Sequence, residues 1–249
     1  MRLRSKRIGL RERLKLAAER IDGPSAARPS AQRMLREASY PLSPLTRRIR
    51  RAPKVTQTNN PKNVLLLPGF LAGPQNMAYL GEQLRLAGHE VTHWSLGFNT
   101  GPTPAKLECL EKELRTLFEA KGQEVTLIGW SLGGLFAREL AKRHSQASAK
   151  VITLGSPFSG DPRANNAWRL YQLVAGHRVD EPPVESALSE KPPVETVAFW
   201  SPRDGVVAPR SARGKPGERD RVVTARCTHM GFSYSPDAIE AILQELERS

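Results

Sequence analysis

Several things are scarce in this 249-residue chain, and each shortage removes a class of reading. There is no run of 18 apolar residues, and with it goes any candidate for a membrane-spanning helix. Only two cysteines occur, Cys109 and Cys227, without metal-ligand spacing, so two reduced thiols are expected rather than a disulfide or a metal site. The opening residues are basic but hold no uninterrupted apolar stretch, so a secretory signal is not expected, and Arg47-Arg48 is not followed by one either. A cytoplasmic location follows as the expectation. No internal repeat is present.

Acidic residues are scarce in one region. Residues 1–54 carry 16 Lys and Arg against four Asp and Glu, whereas the other 195 residues carry 22 against 21. Nearly all of the formal net charge of +13 therefore belongs to an N-terminal arm, and the body is close to neutral. A nucleic-acid-binding fold would carry its charge on a recognisable folded module, and none is found, so nucleic acid is not an expected partner. Within the arm, Leu10, Leu14, Ala17 and Ile21 form the stripe of a short amphipathic helix, and a second weak helix is expected over 31–38. The rest, with five prolines, reads as partly disordered, and TQTNNP (56–61) reads as a linker. The arm suits binding to an anionic membrane surface, which would place the protein at the membrane periphery.

From residue 63 the pattern becomes strand–helix alternation. Strands are expected at NVLLL (63–67), EVTHWSL (90–96), EVTLI (124–128), KVITL (150–154), VETVAFW (194–200) and RVVTARC (221–227). Helices are expected over 76–87, 104–121, 132–144 and 236–248. This rhythm implies βαβ units, a mostly parallel sheet and the α/β class. Residues 158–193 break it, being too long for a simple connection, and read as a cap insertion. Its segment AWRLYQLV (167–174) is too apolar for a free loop, and Trp168 and Leu173 are the expected substrate contacts.

The sharpest chemical signal is GWSLG at 129–133. A G-x-S-x-G segment between an apolar strand and a helix places its serine, here Ser131, on a tight elbow with the hydroxyl exposed. A hydroxyl is a poor nucleophile without a base. Of the five histidines, His229 in CTHMGF lies directly after the last strand, where an elbow serine would project. His144 ends a helix, where a cation complements the dipole. Asp204, in the turn after VETVAFW, is the expected acid that orients the imidazole, with Asp161 as the competitor. Ser131, Asp204 and His229 follow the chain order nucleophile, acid, base expected of an elbow fold. An oxyanion formed at the serine needs backbone donors. Leu132 N–H is one, and the turn LPGFLAGP after the first strand offers Phe70 N–H, or Leu71 N–H one residue on.

These residues carry a resemblance. LLLPGF, LIGWSLGGLFAREL, VITLGSPFSG, SPRDGVV and THMGFSYSP stand in the order found in α/β-hydrolases, in particular bacterial lipase- and esterase-like members. The resemblance covers about 63–248, so the chain divides into the arm (1–54) and a hydrolase domain (55–249) with its cap. It implies an eight-stranded, mostly parallel sheet flanked by helices, with the site at the strands' C-terminal ends. The activity it implies is carboxylic-ester hydrolysis through a Ser131–His229–Asp204 triad and an acyl-enzyme, with no cofactor and no metal. Trp130, where lipases often have histidine, is expected at the substrate. The GWSLGG form resembles that of pimeloyl-acyl-carrier methyl esterases, so an acidic acyl-carrier protein is an alternative partner for the arm. A thioesterase or acyltransferase is the alternative reaction, because the elbow does not encode the acceptor.

Overall fold

A computed structural model describes residues 8–19, 27–38, 40 and 51–248. Of the arm it describes two helices, α1 (Leu10–Ala18) and α2 (Ala31–Glu37). Ile21, the last residue of the expected stripe, lies outside the described residues, as does 41–50. The remaining stripe is not buried: Leu10 and Leu14 face solvent, and α1 has no buried residue.

The body begins at β1 (Asn63–Leu67), buried at every position. It continues through α3 (Ala78–Leu86), β2 (Glu90–His93), α4 (Pro104–Lys121), β3 (Val125–Trp130), α5 (Leu132–Arg143) and β4 (Ser148–Leu154). It closes with α6 (Trp168–Ala175), β5 (Glu195–Trp200), α7 (Pro209–Arg213), β6 (Arg221–Thr224) and α8 (Pro236–Leu246). The strand order is β2-β1-β3-β4-β5-β6, and every pairing is parallel. The eight strands implied by the resemblance are therefore six among the described residues. The physical reason lies before residue 63, where the chain is rich in Arg and Pro and offers no apolar run that a sheet could bury.

Parallel strands need both faces covered, and the side-chain alternation of β1 shows how this is done. Val64 and Leu66 enter one core with Leu80 and Leu84 of α3 and Ile239 and Ile242 of α8. Leu65 and Leu67 enter the other with Leu107, Leu110 and Leu114 of α4 and Phe136 and Leu140 of α5. Each such side chain is worth about 1.5–3 kcal/mol on burial. Helix α4 shows why its boundaries were readable. Pro104 opens it, Thr103 Oγ1 caps Lys106 N–H at 3.2 Å, and Gly122 closes it with φ +62°. Two expected strands end earlier than read. The strand from Glu90 ends at His93, because Trp94 turns into the core and donates Nε1–H to Gly97 O at 2.9 Å. The strand from Arg221 ends at Thr224, beyond which the chain enters the loop of His229.

The segment 158–193 contains one helix, α6, with Trp168, Tyr171 and Gln172 buried on one side. Its later part is fastened by Arg138 of α5, whose guanidinium donates to the carbonyls of Leu188, Glu190 and Glu218 at 2.9–3.1 Å and stacks 4.2 Å from the Phe158 ring centroid. Burial lowers the Arg138 pKa to about 10, so it remains charged near neutral pH. From the arm, α1 lies across α6. Arg13 donates to the carbonyls of Leu173 and Val174, and Arg169 of α6 donates to those of Ala17 and Glu19.

Candidate active site

All the residues singled out from the sequence as a triad lie beyond the C-terminal ends of strands: Ser131 after β3, Asp204 after β5, His229 after β6. This is the edge of a parallel sheet at which ligands bind. Ser131 has φ +54° and ψ −119°, a left-handed conformation that a residue with a Cβ adopts only under constraint. The constraint is close packing around the turn. A Cβ on Gly129 would sit 2.3 Å from Gly133 O, and one on Gly133 would sit 2.1 Å from Leu67 O. Ser131 N–H donates to Leu154 O at 2.8 Å, which ties the elbow to β4.

Asp204 and His229 are 1% and 2% exposed and form one unit, with His229 Nδ1 2.8 Å from Asp204 Oδ2. The other carboxylate oxygen, Oδ1, accepts the N–H groups of Val206 and Val207, both at 2.8 Å. Asp204 therefore serves the turn and holds the histidine together. Asp161, the competing acid, is exposed, and its carboxylate accepts Arg163 N–H instead. Burial pulls the His229 pKa down, but the charge and hydrogen bond of Asp204, joined by the charge of Glu37, leave it above the ordinary histidine value.

Two contacts bring the elbow to this pair. Trp130, next to Ser131, donates Nε1–H to His229 O at 3.1 Å, with the two rings 5.8 Å apart. Gly155, next to the Leu154 that binds Ser131 N–H, lies where a Cβ would be 3.1 Å from Asp204 Oδ2 and 3.2 Å from His229 Nδ1. Among the described residues no hydrogen bond joins Ser131 Oγ to His229; such bonds are often long before a substrate closes the site.

Around the first turn, Leu71 N–H donates to Asn99 O at 2.8 Å, and Asn99 Nδ2 donates to Pro68 O at 2.8 Å. The amides of Phe70 and Leu132 donate to no protein acceptor among the described residues, and both residues line the cavity beside Ser131. That cavity, about 110 Å³, is walled by apolar side chains including Phe136, Trp168, Tyr171 and Val207.

Trp168, expected at the substrate, lines this cavity. Trp130 and Leu173 do not line the cavity: Trp130 is buried against His229, and Leu173 lies in α6 with its carbonyl accepting from Arg13 of α1. Sequence reading did not select Tyr171, although its i, i+3 spacing from Trp168 was the available signal. It also missed Val184 and Leu188, which come from coil without periodicity. Of the other histidines, His177 lies behind the cavity wall, its Nε2 3.3 Å from the Tyr171 hydroxyl. His144 lies 3.5 Å from Glu111, and His89 accepts Lys62 N–H at its Nδ1.

Solved structures share this architecture. Lipase B of Aspergillus fumigatus superposes with a TM-score of 0.56 at 15% identity, over 79% of this chain and 55% of that one. A Listeria innocua protein gives 0.54 at 17% identity, over 76% and 95%. An extracellular alpha/beta-hydrolase from a Paenibacillus species gives 0.52 at 12% identity, over 76% and 100%. The chain has the α/β-hydrolase fold. In sequence it is 34% identical over 108 residues to the pimeloyl-acyl-carrier-protein methyl ester esterase of Aromatoleum aromaticum, a match spanning 43% of this chain and 42% of that relative, less than half its length. No family model matches the chain.

Proposed function

We propose that this α/β-hydrolase cleaves carboxylic esters, with Ser131 as nucleophile, His229 as base and Asp204 as the acid that orients it. The observation that carries the reading is the constrained Ser131 elbow beside a buried Asp204–His229 pair at 2.8 Å. Similarity to an esterase over part of the chain supports it.

In the proposed reaction, His229 Nε2 removes the Ser131 proton as Oγ attacks the ester carbonyl carbon. Asp204, bound at Nδ1, fixes the tautomer and stabilises the imidazolium. The free amides of Phe70 and Leu132 receive the oxyanion; Leu71 is a poorer donor, since its amide is already held by Asn99. The imidazolium protonates the departing alcohol, and water then repeats the sequence on the acyl-enzyme to release the acid.

The apolar cavity at Ser131 suits the acyl part of an ester, with Trp168 and Tyr171 of α6 as its wall. The name of the partial relative favours one substrate source, an ester whose acyl chain is borne by an acyl-carrier protein. The basic arm would attract so acidic a carrier, and by the same charge an anionic membrane. No described helix is long and apolar enough to cross a membrane. A thioesterase or acyltransferase would use the same three residues. Parallel turnover of p-nitrophenyl esters, acyl-thioesters and an acceptor alcohol decides the class. Ester turnover that disappears in Ser131→Ala is expected, and turnover confined to thioesters would move the assignment.

A further inference from the structure

Helix α2 of the arm is built inside out. Leu35 is 74% exposed, whereas Glu37, the last residue of the helix, is only 6% exposed. A buried carboxylate is costly unless its oxygens are satisfied, and those of Glu37 are satisfied in one particular place. Oε1 accepts Gly205 N–H at 2.9 Å and His229 N–H at 2.7 Å, and Oε2 accepts Met230 N–H at 3.0 Å. Gly205 follows Asp204 directly. One carboxylate from residue 37 therefore joins the loop of the acid to the loop of the base.

Two further contacts fix the helix there. A Cβ on Gly205 would lie 2.4 Å from Arg33 O and 2.8 Å from Met34 N, so the backbone of α2 rests on this glycine. Asn166 Nδ2 bridges Pro29 O at 3.1 Å and Gly205 O at 2.8 Å. The arm, read from the sequence as separate from the hydrolase domain, here packs against the loops of Asp204 and His229. His229 is now held on three sides: N–H by Glu37, carbonyl by Trp130, Nδ1 by Asp204.

We propose that Glu37 is a positioning residue for the reaction assigned above: its carboxylate fixes the Asp204 and His229 loops in register and places a second negative charge behind the imidazole. The proposal rests on the serine-hydrolase reading for its kinetic consequences. Its geometric part is independent of it. Asp204 and Glu37 are the charges acting on His229, and both favour the imidazolium; the rings packed on it, Trp130 and Phe232, carry none.

The test uses full-length Glu37→Gln and Glu37→Asp, with folding checked by circular dichroism. Glutamine keeps the size but removes the charge and turns one acceptor into a donor facing an N–H. For a short soluble ester, kcat should fall roughly ten- to hundredfold at little-changed KM. The acid limb of the rate, and the His229 imidazole titration followed by NMR, should both move to lower pH. Glu37→Asp retains charge and both oxygens, so it should keep the titration near that of the wild type and return part of the rate. A folded Glu37→Gln with wild-type kcat and an unmoved imidazole titration would overturn the proposal, as would equal behaviour of the two variants. If the wild type hydrolyses no ester, the hydrolase reading fails, and the titration alone decides the Glu37 contact: a fall in Glu37→Gln upholds it and no change overturns it.

Discussion

The two halves of the candidate site are held in different ways. Ser131 owes its place to its own neighbourhood: a strand that ends, a helix that begins, and glycines at 129 and 133 where no Cβ fits. Asp204 and His229 sit on loops whose relative position is set from far along the chain, by Trp130 and by Glu37. A local device can be read from a dozen residues, and its failure is a failure of packing. A device assembled from distant segments leaves no such trace, and its failure is a loss of register within an intact fold.

Substitutions can break this contrast. The largest loss is expected for Ser131→Ala and His229→Ala, each lowering kcat roughly 10⁵–10⁶-fold with the fold retained, and the double variant should be little worse than either. Non-overlapping, additive losses measured in ester turnover would show that the two halves do not act as a unit. Asp204→Asn should cost about 10⁴-fold. Its pH profile sharpens the point. In the wild type the base is neutral only above a pKa that is raised from the usual ~6.5, so activity should decline on the acid side beginning above that value. With the carboxylate charge gone, the residual activity should show this limb at lower pH. Gly133→Ala attacks the local half instead. Its Cβ would meet Leu67 O at 2.1 Å, so activity should fall together with thermal stability, by several kcal/mol if the turn cannot relax. The smallest effect is expected in the cap. Trp168→Leu should shift preference between short and long acyl esters, while Leu173→Ala, away from the cavity, should not. A shift in both would favour a general repacking of α6 over a specific wall.

The same contrast explains what the sequence made legible. The strand–helix alternation, the boundaries of α4 and the elbow at Ser131 all rest on local rules of burial period, capping and turn geometry. Asp204 and His229 were findable because each follows a strand, which places it at the same edge of the sheet. Trp130 was given to the substrate on the resemblance, as the position where lipases often have histidine, yet its indole N–H has a backbone acceptor 99 residues away. Glu37 was read as one acid in a basic arm. Nothing within α2 marks it, since its partners are backbone amides at 205, 229 and 230. The later cap residues escaped for a related reason: Val184 and Leu188 lie in coil whose position depends on Arg138 holding the 188–190 carbonyls.

The central claim is that Ser131 is a nucleophile activated by the His229–Asp204 pair, and covalent labelling tests it most directly. Full-length protein treated with a fluorophosphonate probe, digested and mapped by mass spectrometry should carry a single adduct on the peptide containing Ser131. The adduct should be absent in Ser131→Ala and form far more slowly in His229→Ala. Labelling of the alanine variant at the wild-type rate, or an adduct on another residue, would contradict it.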